Sequence, residues 1–253
     1  MNGRIVLSIP IDLNSRQNIA AALESKYGTD YVFIGRVFRS TITDESCEID
    51  ICPLQKTKSQ ADTSDRNCLT LRNEFEFAGH LDEITLQQLD RCQQIIYLTS
   101  TKVGYQACLQ IARLAVVLLK IGGIAVKLES ADVAHSREWL SNYNSDDVFD
   151  IYSLYVALVE GEEYYYSCGM HHFGKADVAI ALTEDISLAI YVMNVFNYYR
   201  LTESPILQDG HTFQPDIECP QYVLEWIADS EYTADSHCYN PHGRWLLTVN
   251  SKQ

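Results

Sequence analysis

The sequence predicts an α/β chain of the mixed α+β kind, built as two associated lobes whose mixed β-sheets are flanked by helices. Three observations carry that prediction. An apolar segment Ile95–Leu98, a helical stretch from about Lys102 to Lys120 and a second apolar segment Ile124–Leu128 form a strand–helix–strand series at about 94–128. That spacing suits a βαβ unit with two parallel strands and a right-handed crossover. Val178, Ile180 and Leu182 alternate with Ala179 and Ala181 just before another helical stretch, as a strand does that offers a helix its small face. Between these regions the composition shifts to polar and acidic at Ser141-Asn-Tyr-Asn-Ser-Asp-Asp147, which divides an N-terminal lobe, 1–145, from a C-terminal lobe, 146–253. With 253 residues, 47% hydrophobic and 21% charged, the chain is large enough for two cores and too apolar for a disordered type.

In order along the chain, residues 4–9 read as a buried strand, and Asn14 or Ser15 caps a helix running to about Lys26. Tyr31–Ile34 and Glu48–Cys52 read as short strands, and the polar stretch 54–67 as a mobile loop. Glu74–Phe77 alternates like a strand, and Ile84–Arg91 reads as a short helix. The long helix is apolar nearly all round over Ile111–Leu119, so it belongs at the centre of its lobe, and Gly122-Gly123 stops it. Ser136 starts a helix containing Trp139 and Leu140.

In the second half, Tyr155–Val159 and Tyr164–Ser167 read as strands broken at Glu160-Gly161. Thr183 caps a helix to about Tyr199, with Glu184 and Asp185 in its first turn and a stripe of Ile186, Ile190, Met193 and Phe196 or Asn197. Residues 202–220 carry three prolines and read as a long surface connection, and Tyr222–Ile227 and Trp245–Val249 as late strands.

Composition narrows the function classes. A net charge of −15, with 34 acidic against 19 basic residues, argues against nucleic acid and against an anionic membrane surface. It suits a soluble protein or one steered to a basic protein partner. The eight cysteines include no Cys-x-x-Cys pair, and the N-terminal apolar run is too short for a signal peptide, so free thiols in a reducing cytoplasm are expected. The longest apolar run, Leu114–Leu119, is too short to span a bilayer. No P-loop, dinucleotide fingerprint or Gly-x-Ser-x-Gly elbow occurs. Ser100–Gly104 precedes a helix where an anion could bind, although a threonine cap explains it more simply.

Polar chemistry concentrates in Cys168-Gly-Met-His-His-Phe-Gly-Lys-Ala-Asp177. One reading is structural: Gly169 and Gly174 permit a tight or left-handed turn, and Met170 and Phe173 plug the core from it. A second is catalytic: Cys168 is activated by His171 or His172, with Asp177 orienting the imidazole. Metal binding fits poorly, because adjacent residues on a strand point to opposite faces and zinc sites bring two ligand pairs. A sealed turn would favour a binding protein, and an open pocket with convergent donors an enzyme. Tyr164, Tyr165 and Tyr166, beside the acidic pair Glu162 and Glu163, are the candidate binding residues, against the simpler reading of a half-buried sheet face.

Four motifs in sequence, Phe75-Glu-Phe-Ala-Gly79, Gly122-Gly-Ile-Ala-Val126, Val133-Ala-His-Ser-Arg-Glu-Trp-Leu140 and Gly169–Asp177, resemble the bacterial domain of unknown function 4261 family over roughly residues 70–200. The resemblance implies a bacterial cytoplasmic protein from loci that carry secreted toxins. With no complete catalytic constellation, a strongly negative charge and plentiful tyrosine, the expectation is a non-enzymatic protein-binding protein that acts as an immunity protein against a basic toxin domain, without metal or cofactor. The alternative is a small hydrolase or transferase using Cys168 with a histidine.

Overall fold

The computed structural model of the protein describes residues 4–54, 70–79, 81–138 and 143–250. Among these residues, six α-helices and thirteen strands in two sheets give an α+β fold. The polar stretch 54–67, apart from Leu54, lies outside the described residues, as do Cys68, Trp139 and Leu140. Two compact units are present. The N-terminal unit comprises Ile5–Thr101 and Leu109–Tyr143; the C-terminal unit takes Arg4, Lys102–Cys108 and the chain from Asn144 onward.

The N-terminal unit runs β1 (Ile5–Ile11), α1 (Arg16–Tyr27), β2 (Tyr31–Ile34), β3 (Val37–Ser40), β4 (Ser46–Pro53), α2 (Leu71–Ala78), α3 (Glu83–Arg91), β5 (Gln94–Ser100), most of α4 (Tyr105–Lys120), β6 (Ala125–Leu128) and β7 (Val133–Ser136). The strands lie in the order β2-β3-β4-β5-β1-β6-β7, every neighbouring pair antiparallel. The unit at 94–128 is therefore a split one. β5 and β6 run in the same direction as expected, but β1 lies between them, with Ile9 opposite Ile96 and Leu7 opposite Leu128. Its Ile5, Leu7, Ile9 and Ile11 are fully buried, which is what a central strand requires. The order β4-β5-β1-β6, crossed by α1 and α4, is a ferredoxin-like arrangement, to which the β2–β3 hairpin, the α2–α3 pair and β7 are added.

Local chemistry explains the elements. Ser15 caps α1 by accepting the Asn18 N–H at 3.1 Å. Glu74–Phe77 is helical rather than extended. Thr70 caps α2 through the Asn73 N–H, and Phe75 and Ala78, three apart, bury one face while Phe77 stays exposed. Arg72 ties α2 to α3 through Glu83 at 2.8 Å and Asp90 at 3.0 Å. Ser136 ends strand β7, where it pairs with Ala125 of β6, and the helix expected over Trp139 and Leu140 falls outside the described residues.

The C-terminal unit contains α5 (Val148–Tyr155), β8 (Ala157–Glu160), β9 (Tyr164–Cys168), a 3-10 turn (Met170–Phe173), β10 (Asp177–Ala181), α6 (Ile186–Thr202), β11 (Thr212–Phe213), β12 (Tyr222–Ile227) and β13 (Arg244–Val249). Its sheet has the order β11-β12-β13-β10-β9-β8 and is mixed: β10 and β13 are parallel and the other pairs antiparallel. Val178, Ile180, Val192, Met193, Phe196 and Leu247 meet in its core. Tyr155 closes α5 and is not in a strand, because Asp147 caps that helix by accepting the Phe149 N–H at 2.8 Å. Asp185, not Thr183, caps α6 through the Ser187 and Leu188 N–H groups. The stripe that α6 buries is Ala189, Val192, Met193, Phe196, Asn197 and Arg200, so Ile186 and Ile190 of the expected stripe face solvent.

Candidate functional site

The segment 168–177 forms a sealed turn between β9 and β10. Gly169 has φ +129°, and a Cβ there would stand 2.0 Å from the Tyr155 carbonyl oxygen, so no side chain fits. Met170–Phe173 make one turn of 3-10 helix, which Gly174 ends in the left-handed region at φ 70° and ψ 31°. Met170 and Phe173 plug the interior, Phe173 lying edge-on to Tyr155 with ring centroids 5.6 Å apart. The Gly104 N–H at the start of α4 donates to the His172 carbonyl at 2.7 Å, and the Cys108 thiol approaches the same oxygen at 3.5 Å. The helix terminus after Ser100 thus spends an N–H on the turn, where an anion was the alternative partner.

Behind the turn lies a buried polar knot. Asp177, at the start of β10, accepts from Ser167 Oγ at 3.0 Å, the Met170 N–H at 3.2 Å and Asn240 Nδ2 at 2.6 Å. Burial pushes its carboxyl up to about 6, against the pull of those donors and of Arg244. Arg244, its register partner on β13, pairs with the fully buried Asp229 carboxylate at 2.7 Å and lies 4.2 Å over the Tyr166 ring. Asp229 also accepts the Asn240 N–H at 2.9 Å. From α6, Arg200 donates to the Ala176 carbonyl at 2.7 Å and to Asn197, whose amide meets the Tyr152 hydroxyl at 3.2 Å. Each charged group has a partner, and the arrangement orders β9, β10, β13 and the 229–240 loop.

This chemistry does not assemble an activated nucleophile. Cys168 is buried, and its thiol points to the Cys238 carbonyl at 3.8 Å. The Cys238 thiol beside it, burial and the Asp177 charge all push the Cys168 thiol up, away from thiolate. His171 and His172 stand on the 3-10 turn and not on a strand, so their rings lie side by side, 3.9 Å apart, where opposite faces were expected. Burial, with His242, holds His171 down to about 4, and burial with His171 holds His172 well below its ordinary value, so both are neutral. Among the described residues no group of three or more histidine, cysteine or acidic side chains is placed to hold a metal. Among the described residues no disulfide joins the seven cysteines.

The tyrosine run does not make one patch. β9 sends Tyr165 to the core formed with α6, while Tyr166 is buried on the opposite face with its hydroxyl 3.1 Å from that of Tyr232. Tyr164 is half-buried, and Glu162 and Glu163 are exposed at the strand's start. Trp226 is half exposed and donates its indole N–H to the His242 carbonyl at 2.9 Å.

The apolar surface lies instead on the outer face of α6. Ile186, Ile190, Tyr191 and Tyr198 are each between 41% and 47% exposed, and Phe149 of α5 is 42% exposed beside them. A groove of about 620 Å³ runs between Phe149 and the Ile190–Tyr198 ridge. Asp147, the cap of α5, lines the groove; Asp185 caps α6 next to the lining Ser187, and Asp216 accepts the hydroxyl of the lining Tyr191 at 2.8 Å. A second hollow of about 770 Å³ lies on the other side of α6, against Ile206 and Phe213. Summing charge by halves would have pointed to this unit, because residues 144–253 carry 17 acidic and 4 basic side chains, against 17 and 15 in residues 1–143. No helix among the described residues is long and apolar enough to cross a membrane. Comparison with protein-family models, with curated proteins and with solved structures finds no match for this chain.

Proposed function

We propose that the chain is a non-enzymatic, acidic protein-binding protein of the cytoplasm whose partner is a basic protein, in the terms of the family it resembles a toxin that it neutralises. The observation that carries this reading is the segregation of charge. Nearly all of the net −15 belongs to residues 144–253. Of the three basic residues there that are described, Arg200 and Arg244 are buried, which leaves Lys175 as the half-exposed cation. A surface of that kind attracts a basic partner at long range and repels acidic ones. The closed turn at 168–177, with its protonated thiol and neutral histidines, supports a structural role for the motif that an enzyme would have used.

The test is association with the basic proteins encoded beside this chain in its genome. Mixed with the purified chain, one of them should bind at low salt, with an association rate that falls at least tenfold between about 0.05 and 0.5 M salt as the charges are screened. The chain should also restore growth to cells expressing that protein. Absence of binding, together with turnover of an ester, amide or nucleotide that Cys168→Ala abolishes in a folded variant, would establish the hydrolase or transferase alternative.

A further inference from the structure

We infer that the groove between α5 and the outward ridge of α6 is a docking site for a basic amphipathic helix of a partner protein, an inference that rests on the basic-partner reading and says where such a partner seats. The geometry of α6 points to a helical occupant. Ile186, Ile190, Asn194 and Tyr198 follow one another at intervals of four, which makes a continuous ridge along the helix. Ser187, Tyr191 and Val195 form the next ridge round. Rows at i±4 are the ridges that interlock with those of a second helix at the commonest crossing angle. From Ile186 to Tyr198 the ridge is about 18 Å long, enough to meet roughly three turns of a partner.

The face is unlike a solvated helix surface. Its exposed members are isoleucine and tyrosine, with Phe149 forming the opposite wall of the groove, and their clustering over 620 Å³ exceeds the scattered exposure of single apolar residues. Tyr and Phe at such a site supply large contact area at small entropic cost. Seating an apolar stripe here follows the helix-in-groove mode, with anchors at i, i+4 and i+7.

Charge decides which helix. Asp147 and Asp185 stand at the N-terminal end of the two helices, and Asp216 adjoins Tyr191 on the flank. Asp146 and Asp150 lie beside Asp147 in sequence and Glu184 beside Asp185. Among described residues 143–227, Lys175 and the buried Arg200 are the cations. An acidic occupant would meet like charge at the rim. A second copy of this chain would bring the same acidic rim against itself, which argues against a homodimer on this face. The complementary ligand carries lysine or arginine beside a leucine-type stripe.

The test uses a fluorescein-labelled synthetic peptide of about 18 residues, with leucines along one helical face and lysines on the other. Two controls accompany it: the same residues scrambled so that no face forms, and the same pattern with every lysine replaced by glutamate. Anisotropy titrations would be run on the full chain, on Ile190→Ser/Tyr198→Ser, and on Ile190→Lys as a second probe of the same face. All three proteins are compared by thermal melting, since these positions are exposed. The amphipathic basic peptide should bind the wild type at least tenfold more tightly than either control, and each variant should weaken it at least tenfold with an unchanged melting temperature. Equal binding by the variants, or by the scrambled peptide, would overturn the groove while leaving a basic partner for the acidic surface in general. No binding of either basic peptide at low salt would remove both. A wild type that sediments as a dimer, with monomeric variants, would show that the face joins two copies and would overturn the inference.

Discussion

The two units place their charges in opposite ways, although both leave some large apolar side chains exposed, Phe77 and Ile84 in the first and Ile190 and Tyr191 in the second. In the N-terminal unit, the isoleucines and leucines of β1 and β5 are buried, and many cations pair with acids at the surface: Arg36 with Asp50, Arg39 with Asp44, Arg72 with Glu83 and Asp90. Such exposed pairs add little stability but leave the surface nearly neutral. The C-terminal unit buries Asp177, Asp229, Arg200 and Arg244, and exposes Ile190, Tyr191 and Tyr198. The two arginines among its described residues from Asn144 onward are spent inside, so the surface acids there have few cations to meet. The first unit is arranged as a scaffold of low charge. The second has the composition of a surface made to meet something else, stabilised from within by a polar knot that fixes one arrangement of its strands.

That contrast makes the turn at 169–174 the point where the C-terminal unit is most easily broken. Gly169→Ala should have the largest effect of any single substitution in the turn. Its Cβ would meet the Tyr155 carbonyl at 2.0 Å, where backbone must move, and φ +129° is strained for alanine regardless of space. A loss on the order of 4 kcal/mol is expected in urea unfolding. Gly79→Ala is the matched probe of the N-terminal unit: its Cβ would lie 2.2 Å from the Ala134 carbonyl, but the backbone is extended, so only the steric part applies. Hydrogen exchange should show Gly169→Ala deprotecting β9 and β10 before β1 and β5. The reverse order would end the assignment of a keystone role to this turn.

Acid sharpens the comparison. His171 takes up its proton near pH 4 in the folded chain, while an unfolded histidine does so near 6.5. The unfolded state therefore binds more protons in that window, and stability falls as pH is lowered through it. His172 acts in the same direction. Asp177 opposes them: the folded carboxyl is protonated near pH 6 and the unfolded one near 3.8, so this group adds stability as pH falls from about 6 to 4. Replacing both histidines with asparagine should remove the destabilising pair and leave Asp177. Relative to the wild type, the double variant should gain on the order of 3 kcal/mol between pH 6.5 and 4. Parallel pH profiles for the two proteins would show that the histidines do not titrate differently on folding. Metal content should be the same in both.

Much of the scaffold was legible because its signals are local. Two glycines bracketing Met170 and Phe173 announce a turn with plugs, and Ser15 announces a helix start within four residues. What was not legible depended on distant pairing. Nothing near Leu7 says that Leu128 will lie opposite, so the insertion of β1 between β5 and β6 had no local mark. Glu74–Phe77 alternates over four residues, too short a span to separate strand from helix, and the cap at Thr70 decided it. Thr183-Glu-Asp185 offers two capping frames. α6 is apolar over most of its circumference, so which stripe goes inward is settled by tertiary packing, and with it which stripe is left as surface. The tyrosine run lies on a half-buried strand, the simpler of its two readings, and consecutive residues on β9 face opposite ways, so adjacency in sequence makes no single patch.

The smallest effect should come from Gly174→Ala, and its size is informative because it isolates backbone conformation from packing. At φ 70° and ψ 31° Gly174 lies in the left-handed region, and a Cβ there would meet nothing within 4 Å. The cost is then the left-handed penalty for an alanine, reduced slightly by the lower entropy of its unfolded chain, about 1 kcal/mol in all. Gly174→Asn should recover part of that loss, because asparagine tolerates this region better than alanine. The pair measured by urea unfolding gives a scale for the turn. If Gly174→Ala cost as much as Gly169→Ala, conformation alone would dominate both sites and the close approach to Tyr155 would be incidental. A difference of about 3 kcal/mol places the main constraint at the carbonyl contact, where the turn joins α5 and the buried knot behind it.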